Sequence, residues 1–370
     1  MIAGPILRHV LLILAAPLPL AAQNPSPAVQ VSARPSAPVI ELTSAGQDVG
    51  TDLVIVNQTA DTLELARIQV TVRNGRGELV LQKEVGRNGG TIRSVPDRTV
   101  LPGGRVLVFN PLFAFPRDLE LRSVRFDLWF DAGRVDEKHT AFVEISPRPA
   151  AEAIALRLPL EGRILNHDGH DFFTHHRRVD WTGPIADLLK ITVNPTRYGY
   201  DLVVVDSAGR MFTGDGTRNS DWFGFGATVG ATADGVVVEA VGDQPDHQKG
   251  EPPGYTKEDM IKNPALGQGN YVAIKHAGGI VSFVCHLKQG SVKVSVGEKV
   301  RAGQALGAVG FSGDAYLVHV HLDVRTGPGF TEGYPSRFTR FEKLRGARWS
   351  QVGIGVLETG DIVRRAQKTN

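Results

Sequence analysis

The stretch 290–313, GSVKVSVGEKVRAGQALGAVGFSG, constrains the fold more than any other part of this chain. Its valines alternate, which is the period of a strand with one buried face. Glycines at 290, 297, 303, 307 and 310 break the run. Glycine takes φ > 0 at no steric cost, so this spacing marks tight corners. The segment predicts a small, sharply folded β structure of the barrel-sandwich hybrid kind. Its surroundings agree: ITVNPTRYGYDLVVVD, GVVVEAVGD, NYVAIKHAG, GIVSFVCHL and LVHVHLDVR all read as strands. Only 186–191 and 256–261 look helical, and residues 346–370 read as a tail without pattern.

The N-terminal half is also β. From 39 to 147, DLVIVNQT, ARIQVTVRN, GELVLQKEV, RVLVFNPL, RSVRFDLWF and AFVEIS alternate or carry β-branched residues. Asn74-Gly75, Gly89-Gly90 and the Pro102 to Gly104 stretch supply turns. That rhythm fits an immunoglobulin-like β-sandwich. Such a module has no chemistry of its own and reads as a spacer, or as a docking surface for cell wall or a protein regulator. Residues 23–38 and 147–155, rich in Pro, Ala and Ser, read as linkers. The expected order is therefore a sandwich (39–147), a second β domain (155–345) and the tail.

Residues 1–22 have the order of a secretory signal peptide. Arg8 precedes an apolar run that is too short to span a bilayer, and small residues follow. Cleavage near Ala22 would release a periplasmic or secreted protein with no stable membrane insertion. One cysteine excludes an intrachain disulfide. A net charge of +2 gives no reason to invoke nucleic acid.

The histidines carry the chemistry. Nine of the 11 lie from His167 onward. In Leu317-Val318-His319-Val320-His321, residues two apart share a strand face, so both imidazoles point one way. Such a pair suits zinc. His286 ends another apolar strand and joins the same candidate site. Cys285 is expected to point away from His286 as a small buried hydrophobe. Upstream, NHDGHDFFTHHRRVD holds His167, His170, His175 and His176 with Asp168, Asp171 and Asp180. This loop reads either as part of a metal site or as a solvated polar loop. Asp201 opens a very apolar strand, where a carboxylate must be paired or coordinate a metal. Asp180, beside two arginines, already has a cation. Asp201 is the preferred ligand, with Asp180 paired to arginine or solvated.

Taken together, FGATVGATADGVVVEAVGD, the long GNYVAIKHAGGIVSFVCHL segment with its glycine hairpin, and LVHVHLDV resemble the core of the lysostaphin/LytM-type zinc metallopeptidases. The resemblance runs from Phe225 to Val324. It implies an all-β duplicated-hybrid peptidase domain, one Zn2+ per chain, and peptide cross-links of bacterial peptidoglycan as substrate. By position, His321 becomes a metal ligand, and His319 and His286 become the catalytic histidines. The family's usual His-x-x-x-Asp motif departs here, because Arg197 stands in the histidine position before Asp201. The chain resembles a variant branch that draws this ligand from the upstream loop, at His176 or its neighbour His175. The expected metal set is His176, Asp201 and His321. Two other functions compete: a degenerate relative that activates a separate cell-wall amidase, and a carbohydrate- or lipoyl-type binding module on the same hybrid fold.

Overall fold

A computed structural model describes residues 28–86, 98–112, 114–149, 154–171 and 174–366. The signal-peptide reading and the Gly89-Gly90 turn lie outside these residues. The described chain is nearly all β, as its alternating patterns require.

The N-terminal half builds a β-sandwich from short sheets. One joins Val29–Arg34, Asp52–Asn57 and Arg105–Val108. A larger one runs Val135–Ile145, Ser123–Ala132, Leu63–Arg73 and Leu79–Gly86. Alternate residues of these strands, among them Ile68, Val70, Val72, Val124, Phe126 and Leu128, are fully buried in one core. Each such side chain contributes about 1.5–3 kcal/mol on leaving water. A third sheet pairs Val39–Leu42 with Gln47–Val49.

The C-terminal half is built on one eleven-stranded sheet. Its centre runs Arg163–Asp168, Tyr200–Val205, Val320–Arg325, Val281–Leu287, Asn270–Lys275 and Gly235–Val241, each pair antiparallel. Both faces of the 281–287 strand are covered, and all seven residues are buried. The glycine-rich segment packs against this sheet, with Ala305–Ala308 paired to Thr228–Gly230. Gly297 and Gly303, at φ 90 and φ 88, make the turns that its spacing predicts. The two short helices are Pro184–Leu188 and Lys257–Lys262.

Three sequence readings are corrected. The 23–38 linker contains a strand, Val29–Arg34, with Val29 and Ala33 buried in the sandwich. Its Pro/Ser neighbours hid a period-two apolar pattern. The 346–370 tail is not patternless either. Arg348–Gly355 forms a hairpin with Arg337–Arg345 through Gly346, and Ile362–Arg365 pairs with both Arg337–Arg345 and Arg163–Asp168. Only Val363 of that last strand is fully buried, so charged flanking residues masked it. In the 147–155 linker, Arg148–Pro149 adds in parallel to Val39–Ile40, and Ala155–Leu156 to Arg337–Phe338.

The two halves meet through buried polar contacts. Arg197 Nη1 lies 2.9 Å from Asp52 Oδ2, and neither side chain is exposed. Trp181 Nε1 donates to the same oxygen at 3.3 Å, within an apolar cluster of Leu107, Phe109, Trp181 and Ala186.

Candidate metal centre

Asp201 and His321 are direct cross-strand partners, and Cys285 faces His321 from the other side. The sheet therefore brings three neighbouring strands to one point. Asp201 is 1% exposed, a position that a carboxylate holds only with compensating partners. Those partners are imidazoles. Asp201 Oδ1 lies 3.3 Å from His176 Nε2, 3.1 Å from His321 Nδ1 and 3.2 Å from His319 Nε2. His176 Nε2 and His321 Nδ1 are 3.2 Å apart.

Each ring is anchored by its other nitrogen. His176 Nδ1 donates to the Gly169 carbonyl at 2.6 Å. His321 Nε2 donates to Asp323 Oδ2 at 3.0 Å. His319 Nδ1 donates to Leu317 O at 2.8 Å, and His286 Nδ1 to Ser312 O at 2.9 Å. A neutral ring that donates through one nitrogen keeps a lone pair on the other. The nitrogens left to face the centre are Nε2 of His176, His286 and His319, and Nδ1 of His321, and each offers a lone pair once its ring is neutral.

The donor set fits zinc. Ligand atoms about 2.0–2.1 Å from a tetrahedral zinc stand roughly 3.3–3.4 Å from one another. The His176, Asp201 and His321 atoms are spaced 3.1–3.3 Å. Behind His321, Arg325 grips both oxygens of Asp323 at 2.9 and 2.8 Å. A carboxylate on the far nitrogen fixes ring orientation and raises ligand basicity. His175 is half exposed, with Nδ1 on Asp168 at 3.0 Å and Nε2 3.7 Å from Asp201 Oδ2. His175, His176 and Asp201 together also offer ligand atoms within 4.8 Å of one another.

Charge follows the same geometry. Burial pushes the Asp201 carboxyl up, but His319 and His176 outweigh it and hold the group well below the usual range. Burial, with His319 and His321 nearby, drives the His286 ring well below its ordinary value, so it is neutral at neutral pH. Burial also lowers His321, but the hydrogen bonds to Asp201 and Asp323 prevail and carry it to about 9.

These groups line a cavity of about 540 Å³, together with Tyr316, Met260 and Phe330. Tyr316 Oη donates to Asp201 Oδ2 at 3.0 Å. Asp323 and Tyr316 escaped the sequence reading. Asp323 was within reach of it, since it lies two residues beyond His321 and shares its face. Tyr316 sits in an irregular segment with no period to reveal it.

Cys285 is the small buried hydrophobe expected, packed with Tyr271, Ala273 and Phe283, but its direction is corrected. It lines the cavity beside His286 rather than pointing away. His286 has φ 61, in the left-handed region, which breaks strand alternation there. Such backbone strain at a non-glycine residue clusters at functional sites. Burial raises the Cys285 thiol well above its ordinary value, so it stays protonated. Asp180 is exposed and accepts from Thr182 N and Oγ1 at 2.9 and 2.8 Å, away from the centre. His170 also stands apart, bonded to Glu41.

A sheet-mounted cluster of histidines with one buried aspartate thus stands at the floor of the cleft. Residues 221–332 match the model of Peptidase family M23, and the chain carries a peptidase domain of that family. The match includes His286, His319 and His321 and begins after His176 and Asp201. Among solved structures, the lysostaphin catalytic domain of Staphylococcus simulans is similar at 19% identity, over 37% of this chain and 74% of that one, with a TM-score of 0.24. A zinc-containing peptidase from Vibrio cholerae is similar at 13% identity, over 75% and 82%, with a TM-score of 0.24. A Pseudomonas aeruginosa protein assigned to peptidase M23 is similar at 15% identity, over 77% and 90%, with a TM-score of 0.26. A search of the curated proteins found no match.

Proposed function

We propose that this protein is a zinc-dependent metalloendopeptidase that cleaves peptide cross-links of bacterial peptidoglycan. His176, Asp201 and His321 would hold one zinc per chain, and His319 and His286 would be the catalytic histidines. The observation that carries the reading is the convergence of three oriented donor atoms, 3.1–3.3 Å apart, at the floor of an open cavity. The signal-like residues 1–22 support export to the periplasm or beyond, where that substrate lies.

When bound, zinc supplies a Lewis acid that acidifies water and polarises a carbonyl. The chain's own residues do the rest. Asp201 and the two ligand rings are oriented before any metal arrives, so binding needs little rearrangement. His319, anchored at Nδ1, presents Nε2 to take a proton from the attacking water. Once protonated, the same nitrogen is a donor and can return the proton to the leaving amine. His286, kept neutral by burial, offers a second Nε2 beside it; the two ring centroids are 4.8 Å apart. Met260 and Phe330 give the cavity apolar wall beside these rings.

The test is digestion of isolated sacculi with the purified chain, with products identified by mass. The reading expects chelator-sensitive release of fragments cut at peptide bonds. Intact peptide bonds, with stimulation of an added amidase, would instead indicate the degenerate activator.

A further inference from the structure

We propose that the N-terminal sandwich is a working part of the metal site, and that Glu41 is a positioning residue ordering the His176 loop through His170. This rests on the reading of His176 as a ligand. His176 lies in a turn, not in a strand, so no sheet ladder fixes it. Its ring is aimed by one carbonyl, Gly169 O, at 2.6 Å. That carbonyl belongs to the peptide joining Gly169 to His170, so whatever holds His170 also aims His176. His170 is buried, and its Nε2 lies 3.1 Å from both oxygens of Glu41. Glu41 comes from the sandwich strand Val39–Leu42 and is 3% exposed.

The loop has a second tie to the same wall. Arg177, next to His176 and 1% exposed, donates through Nε to the His170 carbonyl at 3.0 Å. Its guanidinium reaches the sandwich backbone so closely that a Cβ at Gly50 would lie 2.6 Å from Arg177 Nη1. Asn194 Nδ2 closes the ring of contacts by donating to His176 O at 2.9 Å. Removing the Glu41 carboxylate would leave the buried His170 Nε2 without its partner, a change far costlier than loss of a surface pair.

The experiment uses the full chain, metal-free, and reads amide hydrogen exchange over residues 174–180. Glu41→Ala is expected to speed exchange there about tenfold or more, as local opening becomes easier. Glu41→Gln, which still accepts from His170 Nε2, is expected to restore most of the protection. Leu128→Ala, which damages the sandwich core away from His170, is expected to leave the loop unchanged. Zinc affinity is read in parallel, with a loss of about 10–100-fold in Glu41→Ala and little in Glu41→Gln. Unchanged loop exchange in Glu41→Ala, or equal acceleration in Leu128→Ala, would overturn the proposal. A wild-type chain that binds no zinc yet shows the expected exchange pattern would remove the metal reading and leave the positioning role standing.

Discussion

Asp201 and His321 stand opposite each other in the register of two neighbouring strands, with Oδ1 and Nδ1 3.1 Å apart. The pairing is set by main-chain hydrogen bonds, so the two groups arrive together when the sheet forms. A rigid frame of this kind separates two classes of variant. His321→Ala removes a donor atom and is expected to lose the metal. His319→Ala and His286→Ala are expected to keep metal and fold while turnover falls by about 10²–10⁴-fold, the usual loss for a missing general acid or base. Metal analysis beside a peptide-release assay checks this. An empty His319→Ala and a loaded His321→Ala would invert the assignment.

Metal uptake should depend on pH through His321. In the metal-free chain this ring is raised to about 9 by its two carboxylates. A raised value means that the imidazolium's stabilising contribution is fully present below the ring's ordinary value, about 6.5. It is lost as pH rises through about 9. A ligand ring must be neutral, so zinc has to displace that proton. Zinc affinity is expected to rise roughly tenfold per pH unit between pH 7 and 9 from this ring alone. Competition with a chelating dye at several pH values measures the slope, and a flat profile would contradict it.

Asp323 should matter for the metal without touching it. Asp323→Ala leaves His321 Nε2 and the buried Arg325 without their shared partner. Loss of such a carboxylate costs about 10–100-fold in affinity. Zinc titration of the variant, with circular dichroism to confirm the fold, is the check.

How far the sequence reveals this arrangement depends on periodicity. His319 and His321 share a face because strands alternate, and Asp201 stands out because a carboxylate opens an apolar run. The same period would have exposed Asp323. It fails at His286, where a positive φ turns the ring onto the face that Cys285 and His321 already share. The Val29–Arg34 and Ile362–Arg365 strands were hidden by Pro, Ser and Arg neighbours, since each is specified by only one or two buried side chains. Contacts such as Glu41–His170 and Asp52–Arg197 join residues more than 100 positions apart, and no local pattern encodes them.

The sandwich carries an electrostatic cost of its own. Asp48 faces Glu41 across adjacent strands. Burial first, then the Glu41 charge, push the Asp48 carboxyl up to about 6. With the folded value raised, the protonated carboxyl's contribution is fully present below about pH 4 and is lost as pH rises through about 6. Asp48→Asn is therefore expected to stabilise the chain at pH 8 by about 1–2 kcal/mol, allowing for partial exposure, and to change little at pH 4. Thermal unfolding at both pH values reads the difference.

The central claim is the identity of the metal set, and zinc content of Asp201→Ala beside Asp180→Ala tests it most directly. Asp180 sits in a His-x-x-x-Asp spacing with His176, but it is exposed and bonded to Thr182. Asp201 is buried among His176, His319 and His321. The account predicts about one zinc per chain in the wild type and in Asp180→Ala, and none above background in a folded Asp201→Ala. Zinc retained in Asp201→Ala and lost in Asp180→Ala would contradict it.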